Sequence, residues 1–229
     1  IMLSKKATKI FVSGEGMDKF FPSEKIVITG NPIRSAIADS TITRSEAVRY
    51  FKLDPHRKTI LIIGGSLGAK SINEAIADTI SEFSNHDLQL IWQTGKPFAS
   101  QAKELSEGRR NVWTDDFIIR MEYAFAAADI VVSRSGAMAV AELSVAEKPV
   151  IFVPYPFAAE DHQTENAKRL VNKQAALMIQ DADAREQLMA MVVDLAYNTQ
   201  KQQELKQNIG ALAIKKADEK IAEEILNVI

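Results

Sequence analysis

DIVVSRSGAMAVAE, residues 129–142, decides how this chain is read. The apolar run Ile130–Val132 ends in Ser133-Arg134-Ser135-Gly136, and small apolar residues in a helical pattern follow at once. A continuously apolar, β-branched run is a strand covered on both faces. A strand that turns straight into a helix leaves the first N–H groups of that helix unpaired, here those of Gly136, Ala137, Met138 and Ala139. Such an end favours an anion, and a diphosphate fits there without a metal ion. Arg134 offers a positive charge beside it. Glu142 lies six residues past Gly136, about one and a half helical turns in, where a carboxylate can accept two hydrogen bonds from a ribose diol. The plainer reading of Glu142 is a solvated helix glutamate.

Outward from this stretch the same alternation recurs. Strand-like runs at Thr59–Gly64, Leu88–Gln93, Asn111–Thr114, Asp129–Ser133, Pro149–Pro154 and Ala175–Ile179 alternate with helical patterns near 69–84, 97–107, 119–128, 136–147 and 160–173. This predicts an α/β fold with a Rossmann-like, doubly wound parallel sheet, its strand-to-helix loops gathered along one edge. KIVITG (25–30) is a further short strand and Asn31-Pro32 a linker, and Thr43 with Glu46 has capping-box spacing that opens a helix. Residues 183–229 read as helical. Ile214, Ala217, Ile221, Ile225 and Val228 mark one apolar face of the last helix, expected to pack on the body.

The net charge of −2 argues against a nucleic-acid surface, and the absence of cysteine excludes disulfides and thiolate zinc sites. No apolar run approaches the roughly 18 residues of a membrane span. The chain begins on Ile1 and is longer than one average domain, so the expectation is that it starts inside a longer protein.

Three more loops sit at the predicted ligand edge. GGSLGAKS (64–71) follows a strand and either lets the backbone approach a ligand or is a structural glycine turn. It is not a P-loop, because Ala69 separates Gly68 from Lys70, and it lacks the G-x-G-x-x-G fingerprint. The second strand ends in Gln93-Thr94-Gly95, without the acidic residue of a nicotinamide site, so an oxidoreductase is the least favoured reading. In TDDFIIRM (114–121), Phe117 and Ile118 either sandwich a flat base or staple the next helix. In PYPFAAEDHQTENA (154–167), Asp161, His162, Gln163 and Asn166 are placed to read sugar hydroxyls. His162 has no nucleophile beside it, and His56 and His86 fall in loops away from this edge. The aspartates of DAD (181–183) read better as helix caps than as metal ligands.

Together GNPIR (30–34), GGSLGA (64–69), DDFI (115–118) with AAAD (126–129), SRSGAMAVAE (133–142) and DHQTENA (161–167) resemble the C-terminal half of the bacterial MurG-type glycosyltransferases. The motifs stand in the family's order and span about residues 25–170. The resemblance implies a two-domain GT-B-type fold. Residues 1–30 would be a remnant of the N-terminal acceptor domain, its last helix and strand. Residues 31–212 would be the UDP-sugar-binding domain, and 213–229 a helix packing back toward the N-terminal domain. It implies inverting, metal-independent transfer of N-acetylglucosamine from UDP-N-acetylglucosamine to a lipid-linked muramyl-pentapeptide (lipid I to lipid II) in peptidoglycan synthesis. The whole enzyme would act peripherally on the cytoplasmic face of the bacterial cell membrane, with no cofactor and no nucleic-acid partner.

By position, the resemblance gives Ile118 a backbone contact to uracil with Phe117 packing on it, and gives Glu142 the ribose. Ser66 with Gly136, Ala137, Met138 and Ala139 would hold the diphosphate. Gln163 and Asn166 would read the sugar, and Arg34 and Arg134 would supply positive charge. No catalytic base is expected in this chain, so the piece alone should bind donor and be inactive. Two rival readings are a UDP-sugar epimerase or hydrolase working through Asp161, His162 or Glu165, and a non-catalytic nucleotide-sugar-binding module.

Overall fold

The computed structural model describes residue 4, residues 6–14 and residues 16–227. Val228 of the expected apolar face lies outside the described residues, as does the opening Ile1. In chain order, β1 (Ile10–Val12) and β2 (Ile26–Ile28) precede α1 (Ser35–Ala38) and α2 (Arg44–Tyr50). The body follows as β3 (Lys58–Ile63), α3 (Lys70–Asp78), α4 (Glu82–Asn85), β4 (Leu88–Gln93), α5 (Ala99–Ser106) and β5 (Val112–Asp115). It continues with α6 (Met121–Ala127), β6 (Ile130–Ser133), α7 (Ala137–Val145), β7 (Val150–Phe152), α8 (His162–Asn172) and β8 (Leu177–Met178). The helices α9 (Ala184–Tyr197), α10 (Thr199–Ala211) and α11 (Ala217–Leu226) come last.

The six body strands form one all-parallel sheet in the order β5-β4-β3-β6-β7-β8. The chain works outward from β3 in one direction, then returns to β3's other side with β6. The order therefore reverses between β3 and β6, and in open α/β sheets the crevice beyond the strand ends at such a point is where ligands bind. Period-two alternation explains why these strands are apolar throughout. Ile60, Ile62, Leu90, Trp92, Ile130, Val132 and Ile151 point to one face and pack under α3 and α9. Leu61, Ile63, Ile91, Val131, Val150 and Phe152 point to the other and pack under α2, α6 and α8. The predicted doubly wound sheet is thus the one observed.

Several boundaries differ. The helix expected over 69–84 is two helices, α3 and α4, because the chain leaves helical geometry at Thr79, whose hydroxyl donates back to the Ala75 carbonyl at 2.7 Å. The run Ala175–Ile179 gives only the two-residue β8. Among the described residues before Gly30 there is no α-helix: β1 and β2 pair in parallel, joined by two short 3-10 turns. The last helix packs against this pair, with Lys9 bonded to Glu224 and Lys220 donating to the Ile28 carbonyl at 2.7 Å.

At the far edge of the sheet from the crevice, Lys148 donates to the Ala128 carbonyl at 2.9 Å. Burial pushes this ammonium down to about 8, with Asp129 partly offsetting the effect. Below pH 8 the folded and unfolded chains both carry the charge, and the folded one holds it partly buried. Between pH 8 and the unfolded lysine's value near ~10.4, the unfolded chain binds the extra proton, so folding gains stability as pH rises. The stability difference between wild type and Lys148→Met should shift in favour of wild type by about 2 kcal/mol between pH 7.5 and 10. Urea unfolding at both pH values measures it. A pH-independent difference would show that Lys148 is not charged and buried.

Candidate functional site

The crevice is built around the start of α7. Gly136 caps the helix with φ −63° and ψ 150°, and no side chain bonds to the free N–H groups behind it. Those backbone angles suit any residue, so the glycine is not there for its conformational freedom. A Cβ added at Gly136 would meet only Gln163 Nε2, at 4.0 Å. The missing side chain leaves an open approach to the first-turn donors, which is where an anion would sit. The turn before it is fixed from α8. Ser135 Oγ donates to the Gln163 carbonyl at 2.8 Å, and Asn166 Nδ2 donates to the Ser135 carbonyl at 3.0 Å. Gln163 Oε1 accepts the Tyr155 N–H at 3.1 Å, and its amide nitrogen is the atom near Gly136.

Glu142, further along α7, keeps only 18% of its side chain exposed and is paired with Arg34 Nη2 at 3.3 Å. Asn31, in the linker, donates to the carbonyl of Ala137 at 3.2 Å. The linker therefore runs along α7 and touches it at both the anion end and the carboxylate.

The loop after β3 forms the other wall. Gly68 has φ +76°, and a Cβ there would stand 2.0 Å from the Thr94 carbonyl oxygen. Gly95, with φ +71°, is also tight, and a Cβ there would stand 2.4 Å from the backbone of Leu67 and Gly68. The loops after β3 and β4 thus sit backbone on backbone. A buried network pins them, with Trp92 Nε1 donating to Asn73 at 3.0 Å and Asn73 donating to the Thr94 carbonyl at 2.8 Å. Gln93 ties in a third loop, since its Nε2 donates to the Gly65 carbonyl and its Oε1 accepts the Ile118 N–H, both at 3.0 Å. Ser66 stays exposed at the tip.

Three expectations need correction. Phe117 and Ile118 do not both offer a side chain to sandwich a base: Phe117 is half exposed, but Ile118 is 2% exposed and belongs to the core. The Ile118 N–H is already engaged by Gln93, so its carbonyl is the backbone group left for a base edge. Arg134 does not aim its charge at the helix end. It donates to the Val153 and Pro154 carbonyls at 2.9 and 3.0 Å and forms an ion pair with Asp181. The aspartates of DAD (181–183) do not cap: no side-chain cap bond is made at the helix start, and Asp181 instead ties the turn after β8 to Arg134 and to Ser71 of α3.

His162 is exposed, and its Nδ1 lies 2.7 Å from the Ala159 carbonyl. A carbonyl only accepts, so Nδ1 carries the proton and Nε2 faces solvent. Glu160 and Asp161 both adopt left-handed geometry, φ 52°, and Thr164 donates to Asp161 at 2.6 Å. This loop is strained and held by local bonds. A cavity of about 260 Å³ adjoins the crevice, lined among others by Asn31, Val140, Asn166 and Ile214.

Gln93 and Asn31 are the site residues that motif reading passed over. A polar residue ending an otherwise apolar strand at the ligand edge is the signal that marks Gln93. Asn31 stands in GNPIR, a stretch that reads as a linker.

Residues 59–225 match the family model described as the glycosyltransferase family 28 C-terminal domain. The chain is 46% identical over 230 residues to the UDP-N-acetylglucosamine--N-acetylmuramyl-(pentapeptide) pyrophosphoryl-undecaprenol N-acetylglucosamine transferase of Parabacteroides distasonis, covering 100% of this chain and 62% of the relative. It is 45% identical over 228 residues to the protein of the same name in Flavobacterium psychrophilum, again over 100% and 62%. Among solved structures, MurG of Acinetobacter baumannii superposes with a TM-score of 0.76 at 27% identity, covering 99% of this chain and 62% of that one. A Staphylococcus aureus MnaA structure with UDP shares the fold, with a TM-score of 0.68 at 16% identity over 100% of this chain and 63% of that one. The chain thus spans about 62% of the length of the curated relatives it matches.

Proposed function

The chain belongs to the glycosyltransferase family 28 C-terminal domain family, and from that premise we propose that it is the donor-holding part of an inverting N-acetylglucosaminyltransferase. The donor is UDP-N-acetylglucosamine and the acceptor a lipid-linked muramyl-pentapeptide, as in the names of the relatives. Residues 31–212 form the donor domain, while 1–30 and 213–229 belong with the acceptor side. The contacts of Lys9 and Lys220 between α11 and the β1–β2 pair support that division. The whole enzyme works peripherally at the cytoplasmic face of the bacterial membrane. None of the described helices is long and apolar enough to cross a membrane.

One observation carries the reading: an uncapped, glycine-led helix start opens at the sheet's reversal point, with Glu142 on the same helix. The N–H groups of Gly136, Ala137, Met138 and Ala139 bind the diphosphate, with Ser66 opposite. Glu142 accepts from the ribose hydroxyls. Phe117 packs on uracil, whose edge meets the Ile118 carbonyl. The amides of Gln163 and Asn166 read the sugar, and Arg34 adds positive charge. The acceptor hydroxyl oxygen attacks the anomeric carbon from the face opposite UDP, and the bond to the diphosphate oxygen breaks with its electron pair. The hydroxyl proton goes to a base outside this chain. The helix end stabilises the negative charge growing on UDP, so no divalent ion is required.

Calorimetric titration with UDP, with and without magnesium, tests this. Metal-independent binding is expected, and NAD should give no heat. Glu142→Ala should lose about 2–3 kcal/mol of UDP binding, roughly 30- to 150-fold. Unchanged affinity in that variant would overturn the ribose role and, with it, the site.

A further inference from the structure

We propose that Arg34 is a latch on the ribose-binding carboxylate, so that nucleotide binding releases the linker from α7. The inference rests on the ribose role given to Glu142 above. Three observations carry it. Arg34 Nη2 bonds one oxygen of Glu142, at 3.3 Å. A ribose diol bound in bidentate fashion uses both oxygens, so one of its hydrogen bonds meets the ion pair at the same oxygen and competes with it for that atom's charge and acceptor sites. Arg34 is 54% exposed while Glu142 is 18% exposed, so the arginine is the partner free to swing away. The neighbouring Glu122, which also feels Arg34's charge, is bonded to Arg120, so Arg34's departure leaves no carboxylate orphaned there.

The consequence reaches beyond the carboxylate. Residues 31–34 connect the β1–β2 pair to the sheet domain, and among the described contacts of that linker with α7 there are two tethers, Asn31 to Ala137 and Arg34 to Glu142. Behind the linker, Gly30 is seated against Ile214, where a Cβ would come within 2.8 Å. Filling the nucleotide site removes one tether of the two. By linkage, whatever weakens that tether must favour the nucleotide by the same factor. Asn31 of the same linker reaches Ala137 at the start of α7, so Arg34, once released, can turn its charge toward a diphosphate there, and for UDP the lost ion pair is replaced by a new one. For uridine, which has the diol but no phosphate, it is not.

Uridine is therefore the discriminating probe. Affinities of uridine and UDP are measured by titration for the wild type, Arg34→Gln, Arg34→Lys and Glu142→Gln, with amide hydrogen exchange over residues 29–36. Removal of an exposed ion pair should tighten uridine by about two- to fivefold in Arg34→Gln, with Arg34→Lys close to wild type. The same Arg34→Gln change should weaken UDP, which loses the new ion pair to the diphosphate. Linker exchange in the wild type should speed up when nucleotide is bound. Uridine binding that depends on Glu142 but is not tightened by Arg34→Gln would overturn the latch and leave the donor site standing. Uridine and UDP binding that ignores Glu142→Gln would remove the ribose role itself, and the latch with it.

Discussion

Gly136→Asp is expected to reduce UDP affinity by at least about 100-fold while the protein melts at the wild-type temperature or slightly above it. The two effects come from the same atoms. Gly136 already has cap geometry, φ −63° and ψ 150°, and the space around a new Cβ is open. An aspartate there would turn its carboxylate onto the N–H groups of Met138 or Ala139 and favour the helix dipole, worth a few tenths of a kcal/mol over glycine. Those are the donors a diphosphate needs. Two charge-assisted hydrogen bonds are lost, at ~1.5–3 kcal/mol each, and a like charge is added. At 1.4 kcal/mol per decade the loss is roughly 10² to 10⁴-fold. Gly136→Ala, which adds only a methyl group, should fall far short of this. Titration with UDP beside a thermal melt reads both effects. Retained UDP affinity in a folded Gly136→Asp protein would show that the anion site is elsewhere.

The second large effect falls on stability. Gly68→Ala puts a methyl group 2.0 Å from the Thr94 carbonyl oxygen at a residue with φ +76°. The left-handed conformation alone costs about 1–2 kcal/mol for a residue with a side chain. The collision adds to it, because Thr94 cannot retreat without breaking its bond to Asn73, the residue that also accepts from Trp92. A total near 3–5 kcal/mol is expected, and for a chain of this size about 6–20 °C off the melting temperature. A wild-type melt would mean that the loops after β3 and β4 do not pack as described.

The sheet was legible because its strands are short, β-branched and apolar on both faces. TILII and DIVVS could hardly be anything else between helical patterns. What escaped was set by partners remote in sequence. β1 is three residues long and exists by pairing with β2, which no local pattern announces. Thr79 ends α3 without a glycine or proline. At the site, the helix start and Glu142 follow from local order in the chain. Arg134 does not, because its charge is claimed by Asp181, 47 positions on. The Arg34–Glu142 pair spans 108 positions, and Gln93 reaches across to Ile118. Sequence shows which groups are available at an edge; it does not show which of them already hold one another.

The reversal of strand order at β3 also bears on how the chain is made. β3 is the middle of the finished sheet, with β4 on one side and β6 on the other. On the ribosome, β4 follows soon after, but β6 is completed roughly 70 residues later, about 4–14 s at ordinary rates of synthesis. For that interval Ile60, Leu61, Ile62 and Ile63 present an unpaired, wholly apolar edge of the kind that recruits other strands. The nascent chain is therefore most exposed to aggregation between the emergence of β3 and that of β6, and it is during this interval that a chaperone would matter most.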